Sequence, residues 1–234
     1  MRRHRIYLKS LTPGTVTVRG DEARHLIQVL RVKPGSLITA FDGAGLESQG
    51  TVTAVDDLQL LLELGDPTPS QLEAQVAITL AVALLKGDRL SEVVRQATEL
   101  GVNRFRLFIS AYCEVRQLSA NKHARLKRIA KEAAKQCRRS VIPEVLDPVP
   151  LAELPLSPVT IVAHPFASAT LRDALPETPD ELTLMTGPEG GFSDDEVRWL
   201  EQRGATAVRL GARILRSDTA PVALTAALLL PEAL

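Results

Sequence analysis

The chain has 234 residues, and its 28 Lys and Arg balance 28 Asp and Glu to a formal net charge of zero. As a total, that neutrality argues against a nucleic-acid binder and gives no support to a polybasic membrane anchor, while 45% hydrophobic and 24% charged residues exclude a disordered tail. The length allows one large domain or two smaller ones, and the longest apolar run, Val222 to Leu230, is too short to span a bilayer. The N-terminus, Met1-Arg2-Arg3-His4-Arg5, lacks the apolar stretch of a signal peptide. Cys113 and Cys137 match no metal spacing, and with no secretory signal a reducing, cytoplasmic location is expected.

Up to about residue 65 the pattern is short and strand-like. Val16–Val18, Leu37–Phe41, Thr51–Val55 and Leu58–Leu64 are β-prone stretches between turn signals, interrupted by one helix from Asp21 to Leu30. This predicts a small β-barrel or half-barrel, and Gly65–Ser70 reads as a linker. Beyond residue 75, strands at Val76–Leu85, Arg106–Ile109, Val159–Ala163, Leu182–Thr186 and Val208–Leu210 alternate with helices. The helices are expected at Asp88–Leu100, Asn121–Arg139, Ser193–Arg203 and Asp218–Leu230. That alternation predicts an α/β domain with a mostly parallel sheet, and such sheets bind ligands beyond the carboxyl ends of their strands.

Counting by segment breaks the neutrality. Residues 1–35 hold eight Lys/Arg against two acids, and residues 104–139 hold eleven against two. Residues 177–201 hold eight acids against Arg198 alone. One such run reads as a solvated helix face; two basic blocks in one chain shift the balance towards phosphate contacts, which depend on local patches.

The most informative loop is Thr186-Gly187-Pro188-Glu189-Gly190-Gly191-Phe192-Ser193. Its glycines allow a tight turn and close approach of a ligand to the backbone. Ser193 and Glu196 form a capping box for the next helix, whose positive end accounts for Asp194 and Asp195 as well. Glu189 lies inside the turn, before the helix. The loop is neither a Walker cradle nor a dinucleotide fingerprint, and its acidity fits a positively charged ligand such as a sulfonium. A second loop, Leu210 to Ala220, opens the last helix, which Ser217 or Asp218 is placed to cap. Ile214 and Leu215 in that loop point to a pocket lining, with Arg216 as a cation beside it. His4, His25, His123 and His164 show no ligand spacing, so no metal is expected. His164 follows a strand and reads either as part of that sheet edge or as a plain loop histidine.

Five motifs carry a resemblance. They are His25-Leu26-x-x-Val29-Leu30-Arg31, Ala97-Thr98-Glu99-Leu100-Gly101-Val102, Ala134-x-Gln136-Cys137-x-Arg139 with Pro143, Gly187-Pro188-Glu189-Gly190-Gly191-Phe192, and Leu210-Gly211-x-Arg213-Ile214-Leu215-Arg216. In this order the chain resembles the RsmE-type 16S ribosomal RNA (uracil-N3) methyltransferases of the SPOUT superfamily. The resemblance implies a PUA-like RNA-binding β-barrel over residues 1–70 and a SPOUT α/β domain with a trefoil knot over 71–234. It also implies a homodimer and bound S-adenosylmethionine, with Thr186, Gly187, Glu189, Gly190, Gly191, Leu210, Gly211, Ile214 and Leu215 as its contacts. The partner would be 16S rRNA or the small ribosomal subunit, held by Arg2, Arg3, Arg5, His25, Arg31, Arg138 and Arg139. Arg216 is the leading catalytic candidate and Glu189 the second. Three positions depart from the family pattern: Asp218 for Glu, Ala111-Tyr112 for Glu-Arg and Gln96 for Lys. The rival reading is a non-enzymatic RNA-binding assembly protein whose α/β domain only dimerises; it predicts basic patches without paired glycine loops.

Overall fold

The computed structural model describes residues 4–74, 76–175 and 180–230, so Arg2 and Arg3 lie outside the described residues. Two compact units are formed, one from residues 4–73 with Ala134–Ile142 and one from Ala74–Ala133 with 143–230.

The first unit contains β1 (His4–Tyr7), β2 (Gly14–Arg19), α1 (Gly20–Arg24), β3 (Leu37–Phe41), β4 (Leu46–Val55), β5 (Gln59–Leu64) and β6 (Thr68–Pro69). Its sheet runs β1-β3-β4-β5-β2, with β6 on β4. β1 lies parallel to β3 and the other pairs are antiparallel. Alternation sets the core: Leu60, Leu62 and Leu64 of β5 are buried with Val18, Ile38, Ala40 and Val52, while Glu63 stays exposed. The expected helix from Asp21 is present, but α1 widens into a π-turn over His25–Val29, which buries Leu26 in that core. Gly65–Ser70 is tied down rather than free. Thr68 and Pro69 pair with Glu47 and Leu46, and the Ser70 N–H donates to Gly45 O at 2.9 Å.

A polar cluster inside this unit corrects two expected RNA contacts. Arg5 pairs with Glu47 at 3.1 Å, donates to Arg139 O at 3.1 Å and Ser140 Oγ at 2.9 Å, and lies 5.0 Å from the Phe41 ring centroid. Arg139, only 4% exposed, grips Glu73 Oε2 through Nε and Nη2 at 3.0 and 2.8 Å. Glu73 Oε1 then accepts the N–H groups of Ser140 and Val141. Both guanidiniums are internal and already answered by carboxylates, so neither is available to a phosphate.

The second unit contains β7 (Ala77–Ala83), α2 (Arg89–Leu100), β8 (Arg104–Ile109), α3 (Ala120–Cys137, its last turn counted with the first unit), β9 (Glu144–Val145) and β10 (Val149–Pro150). It continues through β11 (Thr160–Ala163), β12 (Ala169–Thr170), α4 (Leu171–Ala174), β13 (Glu181–Thr186), α5 (Asp194–Gln202), β14 (Ala205–Arg209) and α6 (Thr219–Leu229). The sheet order is β10-β8-β7-β13-β11-β14-β12, with β9 on β8, and every pairing is parallel. Both faces are covered, as a parallel sheet requires. Ile78, Leu80 and Val82 of β7 pack with Val93 and Val94 of α2, Leu126 of α3 and Leu224 of α6. The alternate residues Ala81 and Ala83 pack with Phe108, Phe192 and Leu200 of α5. Among the described residues, no helix is long and apolar enough to cross a membrane.

Candidate active site

Strand register builds the site. Ala163 of β11 stands level with Thr186 of β13 and Val208 of β14, and Thr186 stands level with Val82 of β7. Four adjacent parallel strands therefore end together, and their following loops emerge side by side. A cleft of about 600 Å3 opens there, a size suited to a small ligand. Thr186, Gly187, Glu189, Gly190, Gly191, Leu210, Ile214, Leu215 and Arg216 all line it, with His164. Gly211 does not; its φ of +85° gives it a turn role instead. Arg89 lines the cleft although nothing in the sequence marked it.

Each loop glycine answers a different constraint. A Cβ on Gly187 would lie 3.1 Å from the Gly191 carbonyl carbon and 3.2 Å from the Phe192 ring. One on Gly190 would lie 2.8 Å from the Tyr112 Cβ, closer than real Cβ contacts come. Gly191 adopts φ +72°, and its N–H closes the turn on Pro188 O at 2.9 Å. Phe192 then stacks on Phe108, with centroids 6.0 Å apart, anchoring the loop to the core.

Two carboxylates hold this loop in place. Glu189 Oε1 accepts the Lys86 N–H at 3.1 Å and meets the Arg89 guanidinium at 3.4 Å. Its charge is thus partly answered within the protein. Glu196 completes the expected capping box with Ser193, and its other oxygen accepts the Ala111 N–H at 2.7 Å. That second bond fixes the loop carrying Ala111 and Tyr112.

In the second loop the expected cap on α6 is not made. Asp218 is already helical, φ −90° and ψ −25°, whereas a capping side chain needs an extended residue beneath it. The Arg216 carbonyl instead accepts the N–H groups of Thr219 and Ala220 at 3.0 and 2.9 Å. Among the described residues, Ser217 Oγ, Asp218 Oδ1 and Thr186 Oγ1 are buried with no hydrogen-bond partner. Such atoms are costly to leave unmatched, and Thr186 and Ser217 line the cleft. The Arg216 side chain is exposed at its edge. His25, Arg31 and Arg138 lie on the surface of the first unit. Among the described residues no cluster of three His, Cys, Asp or Glu side chains is placed to hold a metal ion.

Residues 72–229 match the pattern of an RNA methyltransferase domain, and residues 18–65 match that of an RNA methyltransferase PUA domain. The ribosomal RNA small subunit methyltransferase E of Synechocystis is 33% identical over 225 residues, covering 91% of this chain and 72% of the relative. The Bacillus subtilis protein of the same name is 29% identical over 224 residues, covering 89% and 87%. Among solved structures, the Neisseria gonorrhoeae ribosomal RNA small subunit methyltransferase E bound to S-adenosyl methionine superposes with a TM-score of 0.88 at 33% identity, covering 97% of this chain and 96% of that one.

Proposed function

The chain belongs to the ribosomal RNA small subunit methyltransferase E family, and from that premise we propose that it methylates N3 of a uridine in 16S ribosomal RNA, using S-adenosylmethionine. The observation that carries this is the convergence of two glycine-bearing loops and Arg216 on one cleft at level strand ends. The residues fit the cofactor. Thr186 Oγ1 and Ser217 Oγ are unmatched polar atoms among the described residues where a nucleoside's hydroxyls and ring nitrogens need partners, and Gly191, with open space where a Cβ would stand, leaves backbone open to it. When bound, the cofactor supplies an electrophilic methyl group on a sulfonium.

The protein's own residues then do the rest. Leu210 and Leu215, both half-buried, supply apolar walls to the cleft. Glu189 acts as a positioning residue that ties the glycine loop to the loop before α2. Arg216 stabilises negative charge on the uracil oxygens as N3 loses its proton to water in the open cleft. Orientation of the two reactants is worth roughly 7–11 kcal/mol of barrier. The target base must be single-stranded or extruded to reach the cleft.

Residues 1–70 are assigned to RNA binding and 71–234 to catalysis, and His25, Arg31 and Arg138 are the proposed RNA contacts. A trefoil knot, a homodimer and a cytoplasmic location belong to the same reading. Exposed Phe166 and Ile214, 80% and 72% accessible, support a partner surface. The test is transfer of labelled methyl to small-subunit RNA lacking the modification, followed by nucleoside analysis. Label at carbon or ribose oxygen overturns the N3 assignment. Absence of S-adenosylmethionine binding in calorimetry, with and without RNA, favours the non-enzymatic assembly protein instead.

A further inference from the structure

Methylation at N3 removes a proton as well as adding a carbon, and the groups around the cleft differ in whether they can take one. Arg89, Arg213 and Arg216 line it, but a guanidinium only donates. Glu189 is the carboxylate of the lining, and it already accepts the Lys86 N–H and meets the Arg89 guanidinium. Among the described residues, His164 is the remaining ionisable side chain there. Imidazole is the side chain suited to exchanging protons near neutral pH.

The four histidines are not equivalent. His123 is buried, with Nε2 3.0 Å from Val145 O and Nδ1 2.9 Å from Asp147 Oδ1, so both of its nitrogens serve the fold. His4 and His25 belong to the first unit. His164 is half-buried, and neither of its ring nitrogens has a hydrogen-bond partner among the described residues. Its place is fixed all the same. It is the first residue after β11, the strand between β13 and β14, so it stands between the glycine loop and the Arg216 loop. Its N–H donates to Val208 O at 2.9 Å, and its carbonyl accepts the Ala167 N–H at 3.2 Å. Its ring meets Phe166 edge-on, with centroids 5.9 Å apart. Backbone and ring are held while the nitrogens keep their capacity, which a proton acceptor needs and a packing residue does not.

We propose that His164 is a catalytic residue whose ring nitrogen is the final acceptor of the uridine N3 proton. This rests on the proposed N3 methylation and gives the water in the cleft a base to which it hands that proton. Water takes the proton from N3 and passes it to the imidazole. The electron pair freed on N3 forms the new N–C bond, while the S–C bond breaks and its pair stays on sulfur. Positive charge thus moves from the sulfonium to the imidazolium, which returns the proton to solvent as product leaves. Arg216 answers the charge that builds on the uracil oxygens in between.

The test is single-turnover methyl transfer by full-length wild type, His164→Gln and His164→Ala at saturating S-adenosylmethionine. The probes are two transcripts of small-subunit ribosomal RNA, carrying uridine or 5-fluorouridine at the methylated position. On uridine both variants should lose about 10²–10⁴-fold in rate. Tm should be unchanged and S-adenosylmethionine affinity within about twofold of wild type. Fluorine makes N3–H more acidic and the base less necessary, so on 5-fluorouridine the deficit should shrink to about tenfold or less. Comparing the two transcripts within one variant cancels any loss that comes from folding or cofactor binding. An equal deficit on both would make His164 a packing residue of the sheet edge and overturn the inference. So would variants as fast as wild type on uridine. Wild-type protein that transfers no methyl to N3 of uridine sinks the methylation reading itself, and the base with it. Wild-type transfer with undiminished variants sinks only the base.

Discussion

Glu189 Oε1 accepts the backbone N–H of Lys86 at 3.1 Å, joining two loops 103 residues apart in the chain. Parallel register makes the bond possible, because β7 and β13 end together. The carboxylate has two separable duties: an acceptor for Lys86 and a negative charge beside the cleft. Glu189→Gln keeps the acceptor and removes the charge, whereas Glu189→Ala removes both. If loop positioning dominates, Gln should weaken S-adenosylmethionine binding by about twofold and Ala by about tenfold, the loss of one hydrogen-bond acceptor. Calorimetry decides it, and equal tenfold losses for both would return the role to charge.

Gly190 is fixed by a neighbour rather than by its backbone angles. An added Cβ would lie 2.8 Å from the Tyr112 Cβ, and no side-chain rotation moves a Cβ away. Gly190→Ala should therefore displace the loop and cut cofactor affinity by about tenfold or more, with an overpacking cost of about 1–3 kcal/mol. Adding Tyr112→Gly, which deletes the opposing Cβ, should restore a large part of that affinity. A double-mutant cycle with no coupling would show that the loop yields by another route.

The contrast between these two loop residues and Arg89 shows what sequence can carry. Gly187 to Phe192 is marked locally, by glycines clustered between a strand and a capped helix. Asp88-Arg89 looks like any helix start, and its place in the cleft depends on β7 lying beside β13. β1 was missed for the same reason: four residues with Ile6 alone buried carry no pattern, and their partner, β3, begins more than thirty residues later. Basic blocks likewise fail to separate internal from surface arginines. The partners of Arg5 and Arg139 lie 42 and 66 residues away in the chain.

Removing Glu73 should be severe. It is the carboxylate that Arg139 grips, and the two side chains are only 15% and 5% exposed. Glu73→Ala takes two hydrogen bonds from the buried Arg139 guanidinium and removes the acceptor of the Ser140 and Val141 N–H groups. A loss of about 3 kcal/mol or more is expected in denaturant unfolding, the usual result of breaking one side of a buried pair. A change below about 0.5 kcal/mol would mean that Arg139 reaches solvent or another carboxylate.

Asp56 gives the fold a pH signature. Backbone N–H groups of Leu58 and Gln59, both at 2.8 Å, hold its carboxyl below its ordinary value of 3.8. A lowered folded value means that the unfolded chain binds the proton more readily. The contribution to stability is therefore complete above the unfolded value and disappears as pH falls through the folded one. Asp56→Ala should be less stable than wild type at neutral pH, with the gap narrowing below about pH 3.9. In an NMR titration the Asp56 carboxyl midpoint should fall below 3.8; a midpoint at or above it would mean that the turn does not hold in solution.

Arg216 separates binding from chemistry. Its backbone carbonyl starts α6 by accepting two N–H groups, which any residue there provides, while its side chain stands exposed at the cleft edge. Arg216→Ala should thus leave Tm unchanged and S-adenosylmethionine affinity within about twofold of wild type. If the guanidinium meets charge that develops on uracil, kcat should fall by about 10²–10³, as when one oxyanion donor is removed. Arg216→Lys keeps the charge but not the planar fork, and should recover only part of the rate. The informative measurement is single-turnover methyl transfer at saturating RNA. A raised KM with unchanged kcat would make Arg216 a substrate anchor and leave charge stabilisation to another residue.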